Sequence, residues 1–215
     1  MIRIKTFVFN PFQVNTYLIY DQAGNCVIFD GCCYSKQEFE LFFDFIIDNS
    51  LKPLALLNTH GHVDHLTGTR RICEKYSIGF HIHKDDKFLL DGAVEYGKFF
   101  GFNIEDPPEP ASWLVDGETF IAGEMEISVF HSPGHSPGSL VFYVKQAGIL
   151  ITGDVLFAGS IGRTDLPGGN YGQLINSIRS RILVLPSETI VYPGHGRETT
   201  IGNEKAFNPF LNRSS

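Results

Sequence analysis

Apolar positions along this chain recur at two different intervals, and the switches between them mark its elements. Residues 1–9 alternate apolar and polar like an edge strand. Residues 14–20 and 26–29 are short apolar runs that read as strands, joined by the turn Asp21-Gln-Ala-Gly-Asn25. The interval changes at Ser35-Lys-Gln-Glu38, a capping box in which hydroxyl and carboxylate each satisfy a free backbone N–H of a new helix. After it, Phe39, Phe42, Phe43, Ile46 and Ile47 fall on one helical face, closed by Asn49 and Pro53. Such a helix needs a sheet to pack on.

The apolar run at 54–57 predicts a buried strand, and a second helix is expected over 68–76. Residues 80–83, read as a strand, put His81 and His83 on one face; no histidine or carboxylate cluster accompanies them in sequence, and Asp85 and Asp86 read as caps of a following helix. Strands near Phe120 and at 127–130, 140–144 and 148–151 build a second sheet, a further apolar run at 190–192 reads as a strand, and a third helix spans 172–183. Residues 85–110 carry Phe88, Leu89, Tyr96, Phe99, Phe100 and Phe102 among glycines and charges. They admit three readings: a lid, a dimer contact, or a helical excursion packed on the core, which is the simplest. Two mixed or mostly antiparallel sheets with helices outside make an α/β chain of the αββα sandwich class.

The length of 215 residues suits one domain, 1–215, with a sizeable core. A net charge of -7 argues against nucleic acid as a partner, because phosphate backbones call for a basic face. No run approaches the roughly 20 apolar residues of a membrane span, and the start has no apolar core of signal-peptide length. The expectation is a soluble, cytoplasmic protein. Cys26, Cys32, Cys33 and Cys73 lack CxxC spacing and read as small core residues, with a reactive thiol at the 32–33 pair the lesser reading.

Chemistry concentrates in Thr59-His60-Gly61-His62-Val63-Asp64-His65, which follows the run at 54–57. In an irregular loop His60 and His62, two apart, can point the same way, while Asp64 and His65 on the next turn reach a second point. One loop can then feed two metals, for which neutral imidazole is the commonest ligand. Four ligands do not close two shells. Three more donors follow apolar runs by way of glycine: His135 in Pro133-Gly-His, Asp154 in Thr152-Gly-Asp, and His195 in Pro193-Gly-His. Glycine lets the backbone turn sharply, so the donor can face a shared cleft.

This set resembles the metallo-β-lactamase superfamily, whose pattern is HxHxDH followed by His, Asp and His on later strand ends. The likeness is strongest to short glyoxalase II-like hydrolases and extends to Asn15-Thr-Tyr-Leu18, Ser132-Pro-Gly-His-Ser-Pro-Gly-Ser139, Gly153-Asp-Val-Leu-Phe157, Gly162-Arg-Thr-Asp165, Thr199-Thr-Ile-Gly202 and Asn208-Pro-Phe210. It implies that His60, His62 and His135 bind one divalent ion, that Asp64, His65 and His195 bind another, and that Asp154 bridges them. Zinc is expected first, while iron and manganese suit the same donors. Asp30 resembles the family's brace for the metal loops. Arg163 occupies the place of a cation that meets the thiol half of the substrate, although pairing with Asp165 is the equal alternative. Phe157 and Arg197 are further candidates for substrate contact.

The activity implied is hydrolysis of a small-molecule hydroxyacyl thioester by metal-bound hydroxide, with Asp64 and Asp154 in the catalytic centre. The long glyoxalase II has a helical C-terminal domain with basic glutathione contacts, and tyrosines where Asp165 and Arg197 stand here, so the resemblance implies hydrolysis and leaves the thiol open. A persulfide dioxygenase, with one iron on His60, His135 and Asp154, is the alternative. A non-catalytic metal-binding scaffold is the alternative of another class. True β-lactamases of the fold lack the bridging Asp and are exported, and flavodiiron proteins have Glu in place of His62. Gly134-His-Ser-Pro-Gly138 matches the serine-hydrolase elbow GxSxG, but Pro137 has no N–H for an oxyanion hole, so Ser136 reads as a hydrogen-bonding turn residue.

Overall fold

In the computed structural model, which describes residues 1–212, strand alternation divides the molecule into layers. Strands β1 (Arg3–Phe9), β2 (Val14–Tyr20), β3 (Asn25–Phe29), β4 (Lys52–Leu57), β5 (Gly79–Ile82) and β6 (Ser112–Trp113) form one sheet in that order. Its first three strands are antiparallel, and β3 through β6 run parallel. The chain continues through β7 (Thr119–Ala122), β8 (Met125–His131), β9 (Leu140–Val144), β10 (Ile149–Gly153), the hairpin β11 (Leu156–Phe157) and β12 (Ser160–Ile161), then β13 (Ile190–Pro193) and β14 (Thr199–Thr200). The second sheet has the order β14-β13-β10-β9-β8-β7, with β10 and β13 parallel and the other neighbours antiparallel. The α-helices are α1 (Lys36–Asp48), α2 (Thr69–Tyr76), α3 (Lys87–Asp91), α4 (Ala93–Phe99), α5 (Tyr171–Ser177) and α6 (Ile201–Phe207).

Successive side chains of a strand point to opposite faces. Ile19, Val27, Phe29 and Leu57 therefore meet Ile127, Val129, Phe142 and Ile151 between the sheets. Their neighbours Leu18, Ile28 and Leu56 turn outward against Phe39, Phe42 and Ile46 of α1 and Ile72 of α2. On the far side Val141, Leu150 and Val191 pack under Leu174 and Ile178 and against Ile201 of α6. The result is the expected αββα sandwich, with two mixed sheets. No helix among the described residues is long and apolar enough to cross a membrane.

Local departures have local reasons. The Ser35 and Glu38 capping box forms as predicted, but the buried stripe of α1 is Phe39, Phe42 and Ile46, and Ile47 is 63% exposed. At about 100° per residue, Ile47 turns past the stripe that faces the sheet. Pro53 lies inside β4, where the pairing with β3 shifts register between Cys26 and Val27, a place where a missing N–H costs no ladder bond. Leu54 is exposed, so the buried run is Ala55 to Leu57. The third helix ends as an α-helix at Ser177 and continues as a π-turn over Ile178–Ile182, with Leu183 N–H donating to Ile178 O. Residues 85–110 form a helical excursion on the core, burying Leu89, Leu90, Ala93 and Phe102.

Candidate metal centre

The four chain segments singled out above end at one edge of the sandwich. After β4 the chain makes a 3-10 turn at Val63–His65, closed by His65 N–H to His62 O at 3.0 Å, which sets Asp64 and His65 on a turn beyond His60 and His62. Gly153 has φ +49, a left-handed conformation that aims Asp154 away from β10. At Gly194 a Cβ would collide with the Asp154 carboxylate, so glycine there permits the approach of β13 and His195.

All seven predicted side chains come together. His62 Nδ1 lies 2.9 Å from His135 Nε2, which is 3.3 Å from His60 Nε2. On the other side His195 Nε2 is 3.4 Å from Asp64 Oδ2, and His65 Nε2 is 3.9 Å from the same oxygen. Asp154 stands between the groups: Oδ1 is 3.5 Å from His65 Nε2, and Oδ2 is 3.5 Å from His195 Nε2 and 3.7 Å from His135 Nε2. His60, His62 and His135 form one close donor group, and Asp64, His65 and His195 form another.

Partners behind the rings fix which nitrogen faces inward. His65 Nδ1 donates to Asp30 Oδ2 at 3.0 Å, His135 Nδ1 donates to Arg163 O at 2.8 Å, and His195 Nδ1 donates to Phe12 O at 3.1 Å. Each ring then points its Nε2 at the centre. Asp30, buried at φ +55, also accepts the Thr59 N–H at 2.7 Å and the Thr59 hydroxyl at 2.8 Å. It thereby holds both ends of the first donor loop. Asn15, on β2, donates to Pro193 O and Gly196 O at 2.9 Å each and pins the loop of His195.

Electrostatics keep His60, His62, Asp64 and Asp154 in ligand form, while His65 and His195 hold a proton that a metal ion would displace. Burial and the neighbouring His65 and His135 hold His60 well below its ordinary pKa, and burial with His135 lowers His62 to about 3, so both rings are neutral near pH 7. Burial opposes ionisation of Asp154, but His65, His135 and His195 outweigh it and drive its carboxyl below the usual range. Asp64 is lowered too, against burial, by the His195 hydrogen bond and by His65. His65 is raised well above its ordinary value: burial opposes the charge, and Asp30 and Asp154 overcome it. His195 is raised in the same way by Asp64 and Asp154. Two carboxylates amid five imidazoles thus draw positive charge to the centre. His65 Nε2 and Asp154 Oδ1 are buried with no hydrogen-bond partner. Buried polar atoms are normally paired, so this donor set fits divalent metal ions.

Sequence reasoning missed Asp86. It is fully buried, caps no helix with its side chain, and accepts Gly61 N–H at 2.8 Å, the Ser136 hydroxyl at 2.8 Å and Gly138 N–H at 2.6 Å. It ties the His60–His62 loop to the His135 loop. The only local signal was an acidic residue in a charged run before a helix, which a cap explains equally well. The same contacts remove Ser136 from nucleophile chemistry, since its hydroxyl is buried and committed. Asp85 caps nothing either; its N–H is accepted by His83 Nδ1.

His83 does have company: His131 stacks on it at 4.0 Å with planes 12° apart, and Asp85 is beside it. In-plane lone pairs of parallel rings do not converge, and His131 Nε2 is taken up by Pro137 O. His81 pairs with Ser112. Cys32 and Cys33 are fully buried and burial pushes both thiols well above their ordinary pKa, which disposes of a reactive thiol.

Over His62, Asp64, His135, Asp154 and His195 opens a cavity of about 270 Å³ whose lining also includes Phe12, Leu89, Tyr96 and Phe100, so the 85–110 excursion forms part of its wall. Arg163 lines it but is held by Asp165 through two contacts of 2.8 and 2.6 Å. Phe157 sits outside the lining, edge-on to the His195 ring at 6.3 Å, and Arg197 is exposed and outside it as well.

A site of His and Asp donors at the edge of an αββα sandwich defines a metal-binding protein of one fold class. Residues 9–195 match the sequence profile of the metallo-β-lactamase superfamily, and the chain belongs to that family. It is 37% identical to the hydroxyacylglutathione hydrolase GloC of Haemophilus influenzae over 216 residues, covering 100% of both chains. Among solved structures it is similar to BLEG-1 B3 metallo-beta-lactamase (TM-score 0.90, 38% identity, 98% of this chain and 100% of that one). It is similar also to TTHA1623 in a di-iron-bound form (TM-score 0.86, 37% identity, 96% and 100%).

Proposed function

We propose that this protein is a dinuclear metal hydrolase that cleaves hydroxyacyl thioesters, with one ion held by His60, His62 and His135, the other by Asp64, His65 and His195, and Asp154 shared. The observation that carries the reading is the pair of unsatisfied buried atoms, His65 Nε2 and Asp154 Oδ1, aimed into a ring of donors in which His65, His135 and His195 have their outer nitrogens committed. The identity to GloC supports a thioester substrate.

When bound, two divalent ions supply Lewis acidity and an activated water. The chain's own residues do the rest. Asp30 fixes the His65 ring, and Arg163 O and Phe12 O fix His135 and His195, so the donors need no reorganisation. Asp64 and Asp154, held ionised, return negative charge to the centre without quenching it. A thiolate leaves without strong acid assistance, which suits a site in which Ser136 is tied to Asp86 and the nearest cation, Arg163, to Asp165. The test is anaerobic turnover of S-lactoylglutathione by protein of measured metal content. Cleavage with two metals per chain is expected; one iron per chain, oxygen uptake with glutathione persulfide and no thioester cleavage would replace the reading with a persulfide dioxygenase. Likeness to BLEG-1 favours one second reading, hydrolysis of a β-lactam, and nitrocefin in the same assay checks it.

A further inference from the structure

The wall of the cavity above the metal centre is unlike a site for a polyanionic ligand. Phe12 reaches it from the β1–β2 connection, Leu89, Tyr96 and Phe100 from the 85–110 excursion, and Leu166 from the far side. Arg163 is the only Lys or Arg in the lining among the described residues. Its guanidinium is engaged at Nε and Nη2 by the two oxygens of Asp165. That hydrogen bonding lowers the Asp165 carboxyl to about 2, so the pair stays ionised and nearly cancels. A substrate carboxylate that took Arg163 would leave Asp165 unpaired beside itself, a like-charge contact. On the excursion, Lys87 pairs with Asp91 at 2.6 Å and Lys98 with Glu95 at 2.7 Å.

Biological thiol carriers are long and polar, and their arms lie best in solvent. The walled space is left to the acyl group, and burying apolar surface there is favourable while burying an unpaired carboxylate is not. Resting on the thioesterase reading above, we propose that the substrate's acyl arm, beyond the carbon next to the carbonyl, is uncharged and apolar and is seated against Phe12, Leu89, Tyr96 and Phe100, and that the thiol arm is not selected for the two carboxylates of glutathione.

The experiment compares kcat/KM of metal-loaded protein for acetyl, butyryl, hexanoyl and octanoyl thioesters of N-acetylcysteamine with that for S-lactoylglutathione. A rise of about fourfold per added methylene is expected until the cavity is full, with hexanoyl about tenfold or more above lactoylglutathione. A double variant, Tyr96→Ala with Phe100→Ala, should flatten the series to under about twofold per methylene while metal content per chain stays the same. Calorimetry should show hexanoate binding more tightly than lactate, a readout independent of turnover. A flat or falling series with lactoylglutathione cleaved well would overturn the apolar arm and leave the thioesterase standing. Cleavage of no thioester at all would overturn the thioesterase reading, and this inference with it.

Discussion

The Ser136 hydroxyl donates to Asp86 Oδ2 at 2.8 Å, a contact between positions 50 residues apart that joins the two loops carrying His60, His62 and His135. Gly61 and Gly138 donate to the same carboxylate, one from each loop. Burial raises the Asp86 carboxyl, while the Ser136, Gly61 and Gly138 hydrogen bonds oppose the shift. Asp86→Ala would strand three buried donors at roughly 1–3 kcal/mol each before relaxation. A stability loss of about 3 kcal/mol or more is expected, with the metal on His60, His62 and His135 lost ahead of its neighbour. Denaturant unfolding and metal content per chain check both parts, and full occupancy of both metals in the variant would remove Asp86 from this role.

Ser136→Ala separates two hydrolase chemistries. Its hydroxyl is one of three donors to Asp86, and the other two remain, so turnover should change little. A serine nucleophile would instead lose activity by about a millionfold. Steady-state kinetics decide, and a trapped acyl-enzyme on Ser136 would count directly against a metal route.

Asp154→Asn keeps the shape but gives up the charge on an atom set within 3.5 Å of His65 and His195 and 3.7 Å of His135. One metal per chain and most of the activity should be lost. Two tightly held metals with unchanged turnover would show that no anionic bridge is needed.

Without metal, pH should act from both sides. His60 and His62 are lowered, so they must charge on acid unfolding and stability falls as pH drops below about 6.5. His65 and His195 are raised; their contribution is complete below about pH 6.5 and is lost as pH climbs through their folded values. Asp154, lowered, contributes above about pH 3.9 and loses that only in strong acid. The metal-free protein should therefore be most stable near pH 6.5. Bound divalent ions take the place of the His65 and His195 protons, so metal-loaded protein should keep its stability on the alkaline side. Denaturation midpoints across pH, with chelator and with metal, test this; an equal alkaline loss in both would contradict it.

The sequence by itself determined the layers and the donors. Apolar runs such as residues 14–20 read as strands, whose alternate side chains take opposite faces, and the strand–glycine–donor repeat at His135, Asp154 and His195 is local, so it is legible before folding. The capping box at Ser35 was legible for the same reason. The short strands β6, β11, β12 and β14 were not, because two residues carry no period. Only the tertiary structure decided that Asp86 clamps two donor loops, that Ile47 turns to solvent, that Arg163 is taken by Asp165, and that Phe12 and Phe100 share a wall over the metal centre. Each of these depends on which distant segments meet. Such meetings follow from sheet register and long-range packing, and no interval along the chain records them.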